Sequence, residues 1–168
     1  MTLIELLIAS VVLVIVMAGV SNMFVSGLRA GTNANARLAS QESVGNAFDR
    51  LEYETRCASS ASLLSSGGGV ELSLPSQCPH ATGTVVWCVS GGVLERITGS
   101  TNCSAGTPQP YVSDVTSATP FACLTASGDL PRLQVTLTVN TSTTNPADAT
   151  TAVDTITLRN ATPGSGCS

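Results

Sequence analysis

Apolar residues are concentrated at one end of the chain. Residues 1–28 are almost continuously apolar and carry a single charged side chain, Glu5. A helix of this length would extend about 42 Å, because each residue adds about 1.5 Å, and would exceed the roughly 30 Å hydrocarbon core of a bilayer. The pattern therefore predicts a first segment, 1–28, that forms a helix long enough to cross a membrane.

The helical pattern continues in amphipathic form over a second segment, 29–56. Val44, Ala47, Phe48, Leu51 and Thr55 each lie three or four residues from another member of the set. These spacings place side chains on one face of an α-helix. We expect this face to pack on the rest of the chain.

Charged residues on the second segment are spaced as helical pairs. Arg50 precedes Glu54, and Glu52 precedes Arg56, each by four residues. Such pairs stabilise a helix by only tenths of a kcal/mol, about 0.2–0.5 each. We interpret all four side chains as a solvated face.

Small residues weaken the middle of the predicted helix. Gly19, Ser21 and Asn22 lie together there, and each Gly costs about 1 kcal/mol relative to Ala inside a helix. An unwound or extendable stretch between Gly19 and Asn22 is one prediction. Close packing of helices through small side chains is the alternative.

Beyond residue 57 the hydrophobic period changes from helical to the alternation of β-strands. The sequence Ser90-Gly91-Gly92 between two apolar runs predicts a hairpin, because Gly accepts the positive φ of a tight turn. Predicted strands cover 70–74, 84–89, 93–98, 133–140 and 153–159, with a weaker candidate at 121–125. The third segment, 57–168, is therefore expected to be β-rich, and the fold class is α+β with an antiparallel sheet.

Composition restricts the partners. The 168 residues include seven Arg, no Lys and eleven acidic residues, a formal net charge of −4. Such a chain has no basic field to attract phosphates, so nucleic acid is not expected as a partner.

Cysteine is the residue type most informative about the third segment. Six cysteines in a chain rich in Ser and Thr indicate a disulfide framework formed in an oxidising compartment. Six allow fifteen pairings, and the sequence alone does not choose among them. Our hypothesis is sequential pairing, of Cys57 with Cys78, Cys88 with Cys103, and Cys123 with Cys167.

Catalytic and metal-binding motifs are weak. A zinc site is disfavoured because no CxxC occurs and His80 is the sole histidine, which also leaves no base for a catalytic triad. Asn145, Asp148 and Asp154 could contribute to a calcium site, although their spacing fits no EF-hand. We expect neither enzymatic activity nor a cofactor.

The N-terminal stretch identifies a family resemblance. A signal peptide would carry a basic residue before the apolar run, which is missing here, and a plain membrane anchor would avoid Glu5. The sequence Thr2-Leu3-Ile4-Glu5-Leu6-Leu7-Ile8-Ala9 resembles the processed N-terminus of type IV pilins and type II secretion pseudopilins.

This resemblance implies a fold, a processing step and partners. A prepilin peptidase would cleave a leader before Met1 and methylate its amine. The amphipathic half of the helix would pack on the β-rich body while the apolar half protrudes, as in the pilin lollipop. The protein would lie in the bacterial inner membrane, and the pilus assembly machinery would then add it to an extracellular homopolymer.

Glu5 has a physical role in this picture. A carboxylate in the bilayer costs roughly 2.5–3.5 kcal/mol, and a neighbouring subunit's Met1 amine is the nearest available cation. That pairing would set the axial stagger of the filament, as the family mechanism also implies. An incidental acid at the membrane surface is the alternative interpretation.

Three functions remain open. The first is the main structural subunit of a type IV pilus. The second is a minor pilin or a type II secretion pseudopilin that primes or modifies a filament. The third is an adhesin or DNA-uptake pilin, although the third segment offers only Arg96, Arg132 and Arg159 for binding DNA.

Overall fold

A computed structural model describes residues 2–64, 68–78, 82–124, 128–141, 149–164 and 166–168. Within these residues the chain forms one α-helix and eight β-strands. Contacts divide the chain into two compact units, one up to Ala39 and one over Ser40–Ser168. The expected α+β class with a long N-terminal helix is confirmed.

Helix α1 runs without interruption over Leu3–Cys57. The prediction of an unwound stretch between Gly19 and Asn22 is therefore wrong for this structure. Ser21 is accommodated in the helix, where its hydroxyl donates a hydrogen bond to the carbonyl of Met17 (2.8 Å). The glycine penalty lowers helix stability without requiring a break.

Burial along α1 begins only at Ser40, since residues 2–39 are all exposed. Ala47, Leu51 and Thr55 are buried, and Val44 and Phe48 are partly buried against the core. The predicted apolar face is confirmed, but the packed part is shorter than the predicted segment 29–56.

Two antiparallel sheets follow the helix. The first sheet has the order β1-β2-β3-β4-β5 and the second has the order β6-β7-β8. The strands are β1 (Ser60–Leu63), β2 (Gly69–Leu74), β3 (Gly83–Ser90), β4 (Val93–Thr98), β5 (Gln109–Val112), β6 (Phe121–Leu124), β7 (Arg132–Asn140) and β8 (Ala149–Thr157). The expected antiparallel pairing is confirmed, whereas the expected single sheet is wrong.

Two strands, β1 and β5, were not predicted, and β8 begins four residues earlier than predicted. Strands β1 and β5 are only four residues long, too short for a clear alternating pattern. Strand β5 also contains Pro110, which has no amide to donate and suits an edge strand. Strand β8 starts at Ala149, inside a stretch rich in polar residues, because it follows β7 in register along its whole length.

The hairpin of β3 and β4 matches its sequence signal. Ser90 pairs with Val93 at its end, and Gly91 and Gly92 have φ values of 57° and 79°. Both angles lie in the left-handed region that glycine enters without penalty. The two-residue turn therefore has the geometry expected of a tight hairpin.

One main core joins the two sheets and the end of α1. It contains Leu51 from the helix, Trp87 from β3 and Leu137 from β7. Cys88 lies on the opposite face of β3, in a smaller cluster with Val86 and Ile97. Both faces of β3 are thus covered, which explains its four consecutive buried residues.

The C-terminal residues complete the outer edge of the first sheet. The amides of Ala61 and Leu63 donate to the carbonyls of Gly166 and Ser168, both at 2.6 Å. The amide of Ser168 donates back to the carbonyl of Ala61 (3.2 Å). These bonds pair β1 with residues from the far end of the chain.

Candidate functional site

The first part of α1 is an exposed apolar surface. Its most apolar 18-residue window has a mean hydropathy of 2.8, and none of that window is buried. By length and composition this helix is able to cross a membrane, the one such helix within the described residues. The exposed large side chains are Leu3, Ile4, Leu6, Leu7, Ile8, Val11, Val12, Leu13, Val14, Ile15, Val16, Met17, Val20, Met23, Phe24, Val25 and Leu28.

Glu5 closes the N-terminal turn of this helix. The Thr2 amide donates to Glu5 Oε2 at 2.8 Å, and the Thr2 hydroxyl donates to the same oxygen at 3.2 Å. The carbonyl of Thr2 accepts from the amides of Glu5 and Leu6. Thr2 is thus the cap residue, and Glu5 is the acidic residue three positions later that reaches back to it.

The spacing Thr2-x-x-Glu5 indicates this cap in the sequence. We predicted instead that the Glu5 carboxylate pairs with the Met1 amine of a neighbouring subunit. The cap engages one carboxylate oxygen with uncharged donors. A carboxylate accepts several hydrogen bonds through its two oxygens, so the cap leaves capacity for a cation. Met1, the predicted source of that cation, lies outside the described residues.

The six cysteines form the three sequential disulfides of our hypothesis. Cys57–Cys78 holds the end of α1, and Cys88–Cys103 holds the loop after β4 against β3. Cys123–Cys167 joins β6 of the second sheet to the residues that pair with β1 of the first. All three bridges therefore stabilise the second unit and leave no thiol for chemistry.

A buried charge cluster centred on Glu54 was not predicted from the sequence. Glu54 is 1% exposed, and it accepts from Trp87 Nε1 (2.9 Å) and from Nε and Nη2 of Arg96 (2.9 and 2.7 Å). Arg50 Nε donates to the same carboxylate at 2.8 Å. The interpretation of Arg50–Glu54 as a solvated pair is therefore wrong, whereas Glu52 and Arg56 form a partly exposed pair.

A signal for this cluster was present in the sequence. Glu54 follows Ala47 by seven residues and Leu51 by three, so it falls on the apolar face of α1. A carboxylate on that face must find a cation in the core. Arg96 meets this need and is itself buried, which removes it from the arginines that could contact DNA.

Other candidate sites receive no support. Among the described residues, no group of three or more His, Cys, Asp and Glu side chains is placed to hold a metal ion. Of the calcium candidates, Asp154 lies on β8, and Asn145 and Asp148 lie outside the described residues, as does His80.

Comparison with known proteins returned no match among protein-family models, curated proteins or solved structures. The candidate site is therefore defined by this chain alone, as the exposed apolar part of α1 with Glu5 at its end.

Proposed function

We propose that the chain is a structural subunit of a type IV pilus or a related filament, anchored in a bacterial inner membrane before assembly. The observation that carries this proposal is the apolar stretch of α1 with its single carboxylate, Glu5. The family resemblance of residues 2–9, which lie within this stretch, also supports it.

The exposed apolar surface of α1 has to be buried away from water. Burying even half of a 28-residue apolar helix removes on the order of 1,000 Å² from water, worth tens of kcal/mol at about 25 cal/mol per Å². Lipid covers this surface before assembly, and the same stretches of neighbouring subunits cover it in a filament. Transfer of the helix from lipid into the filament gains much less free energy, because only packing between helices then favours the filament. An assembly motor is therefore an expected partner.

Glu5 would set the register between subunits. Its cap with Thr2 offers only neutral donors, which do not offset the charge in an apolar surrounding. A neighbour's N-terminal amine supplies the opposite charge. The proposed pair therefore makes one axial offset more stable than the others.

The second unit is suited to the outside of the cell. Its disulfides need an oxidising compartment to form. Residues 57–168 contain 34 Ser or Thr and nine charged residues, a polar composition for a filament exterior.

The test separates the charge of Glu5 from its capping role. Gln also serves at the third position of a capping box, so Glu5→Gln keeps the cap and removes the charge. We expect normal membrane insertion and a loss of at least tenfold in filaments sheared from cells. Thr2→Val is the matched control, which removes the hydroxyl bond but keeps the charge, and should assemble nearly normally.

Normal piliation of the Glu5→Gln strain would refute the charge pair. The abundance of the wild-type chain in sheared filaments then separates the main subunit from a minor pilin or pseudopilin. The main subunit would be the dominant protein, and a minor subunit would be present in a small fraction.

A further inference from the structure

An apolar groove lies in the second unit, between α1 and the antiparallel strands β7 and β8. Its volume is about 460 Å³. Val44 and Phe48 line it from the helix, and Leu137, Val139 and Ala152 line it from the strands. This is space for a few side chains of another molecule.

The packing around the groove is incomplete. A Cβ atom built on Gly45, which lines the groove, would have nothing within 4 Å. Val153 on β8 is 58% exposed, although it is a large apolar side chain in a strand. Strand β8 is the last strand in the order β6-β7-β8 of the described residues. An apolar surface at a sheet edge is a common place for a partner to bind.

The rim of the groove is acidic. Asp49, Glu52 and Asp154 line it, Glu52 being paired with Arg56, and no arginine lines the groove among the described residues. Residues 40–168 hold ten carboxylates and five arginines, whereas residues 1–39 hold one carboxylate and two arginines. The complementary occupant is an apolar segment that ends in a cation, and the first unit of this chain has that composition.

We propose that the groove receives the face formed by Val25, Leu28 and Arg29 of a second copy of the chain. These side chains are all exposed and share one face of α1, because they are three and four residues apart. The two apolar side chains enter the groove, and the guanidinium of Arg29 pairs with Asp49 or Asp154. The inference rests on the proposed function, because in a filament this segment of one subunit would lie beside the second unit of another.

Photo-crosslinking in the full chain tests this contact. A benzoylphenylalanine at Ala152 should crosslink to residues 20–38 of another copy in assembled filaments, as mapped by mass spectrometry of the linked peptides. The same crosslinker at Gln77, which is exposed and does not line the groove, should give no link to that segment.

Charge reversal makes the test specific. Asp154→Arg should reduce the yield of the Ala152 crosslink at least threefold, and adding Arg29→Asp should restore most of it. Failure of the double variant to recover, while single variants still form filaments, would overturn the ion pair.

The outcomes distinguish the groove from the filament. Filaments whose Ala152 crosslinks reach β8 of another copy, a different protein or nothing would overturn the groove contact and leave the proposed function intact. Crosslinks to residues 20–38 in wild-type dimers that never form filaments would overturn the function and keep the contact.

Discussion

Two carboxylates on helix α1 have opposite surroundings. Glu5 is exposed and accepts from Thr2, whereas Glu54 is buried and accepts from Arg96 and Trp87. The first is available for a partner outside the chain, and the second is fully used within it. The same residue type therefore belongs to the core in the second unit, whereas in the first unit the proposed function would use it for assembly.

Removing the charge of Glu54 should destabilise the second unit strongly. Glu54→Gln leaves Arg96 buried without a counter-charge, and breaking a buried pair in this way costs about 3–5 kcal/mol. Urea unfolding of the full chain in mild detergent, followed by circular dichroism, measures the change in the free energy of unfolding.

The matched control is Glu52→Gln, two residues earlier on the same helix. Glu52 pairs with Arg56 at a partly exposed site, and such pairs contribute about 0–1 kcal/mol. Equal losses in the two variants would contradict a special role for the buried cluster.

Glycines in different elements should respond to a methyl group with opposite signs. In β2, a Cβ at Gly69 would lie 2.9 Å from both Cys103 Sγ and Leu64 Cδ1. Gly69→Ala should therefore destabilise the chain by about 1–3 kcal/mol. In α1, Gly45 has open space, so Gly45→Ala should stabilise the chain by up to about 1 kcal/mol. Thermal unfolding of both variants checks this, and a shift of the same sign in both would contradict it.

Elements with strong periodicity could be predicted from the sequence. Helix α1, the β3–β4 hairpin and β7 all carry clear patterns, and the structure reproduces them within one or two residues. Strands β1 and β5 were missed because four residues are too few for a clear alternating pattern, and β5 also contains Pro110. The division into two sheets depends on tertiary packing, which no local pattern encodes.

The candidate site was predictable where it depends on a local sequence pattern and not where it depends on tertiary packing. The apolar stretch and Glu5 are visible in residues 1–28, and the six cysteines are visible as an even set. The capping role of Glu5 and the burial of Glu54 were also encoded, as spacings of three and seven residues. The acidic groove could not be predicted, because its walls, α1 and the strands β7 and β8, are about a hundred residues apart in the sequence.

At the scale of the molecule, the three disulfides should supply a large share of the stability. Loops of 15, 21 and 44 residues correspond to about 3–4 kcal/mol each in the chain-entropy model. We expect mass spectrometry of the unreduced protein to find no free thiol. Replacing both Cys123 and Cys167 by Ser should lower the thermal midpoint most, because that bridge closes the longest loop.

A fragment of residues 32–168, which lacks the apolar segment, should be monomeric. Residues 32–168 lack the exposed surface of residues 3–28 and also lack the face around Arg29 proposed to fill the groove. Analytical ultracentrifugation should find a single species of monomer mass. Regular filaments formed by this fragment would show that assembly is driven by the second unit.

The pairing of β1 with residues 166–168 orders the events of maturation. A chain made from its N-terminus folds its early segments first, yet β1 cannot complete its outer edge until residues 166–168 have been synthesised. The bond between Cys123 and Cys167 has to wait for the same moment. Before that moment an oxidising enzyme can meet at most five of the six cysteines. Under the proposed function, closure of the Cys123–Cys167 bond would therefore report that residues 166–168 have been exported.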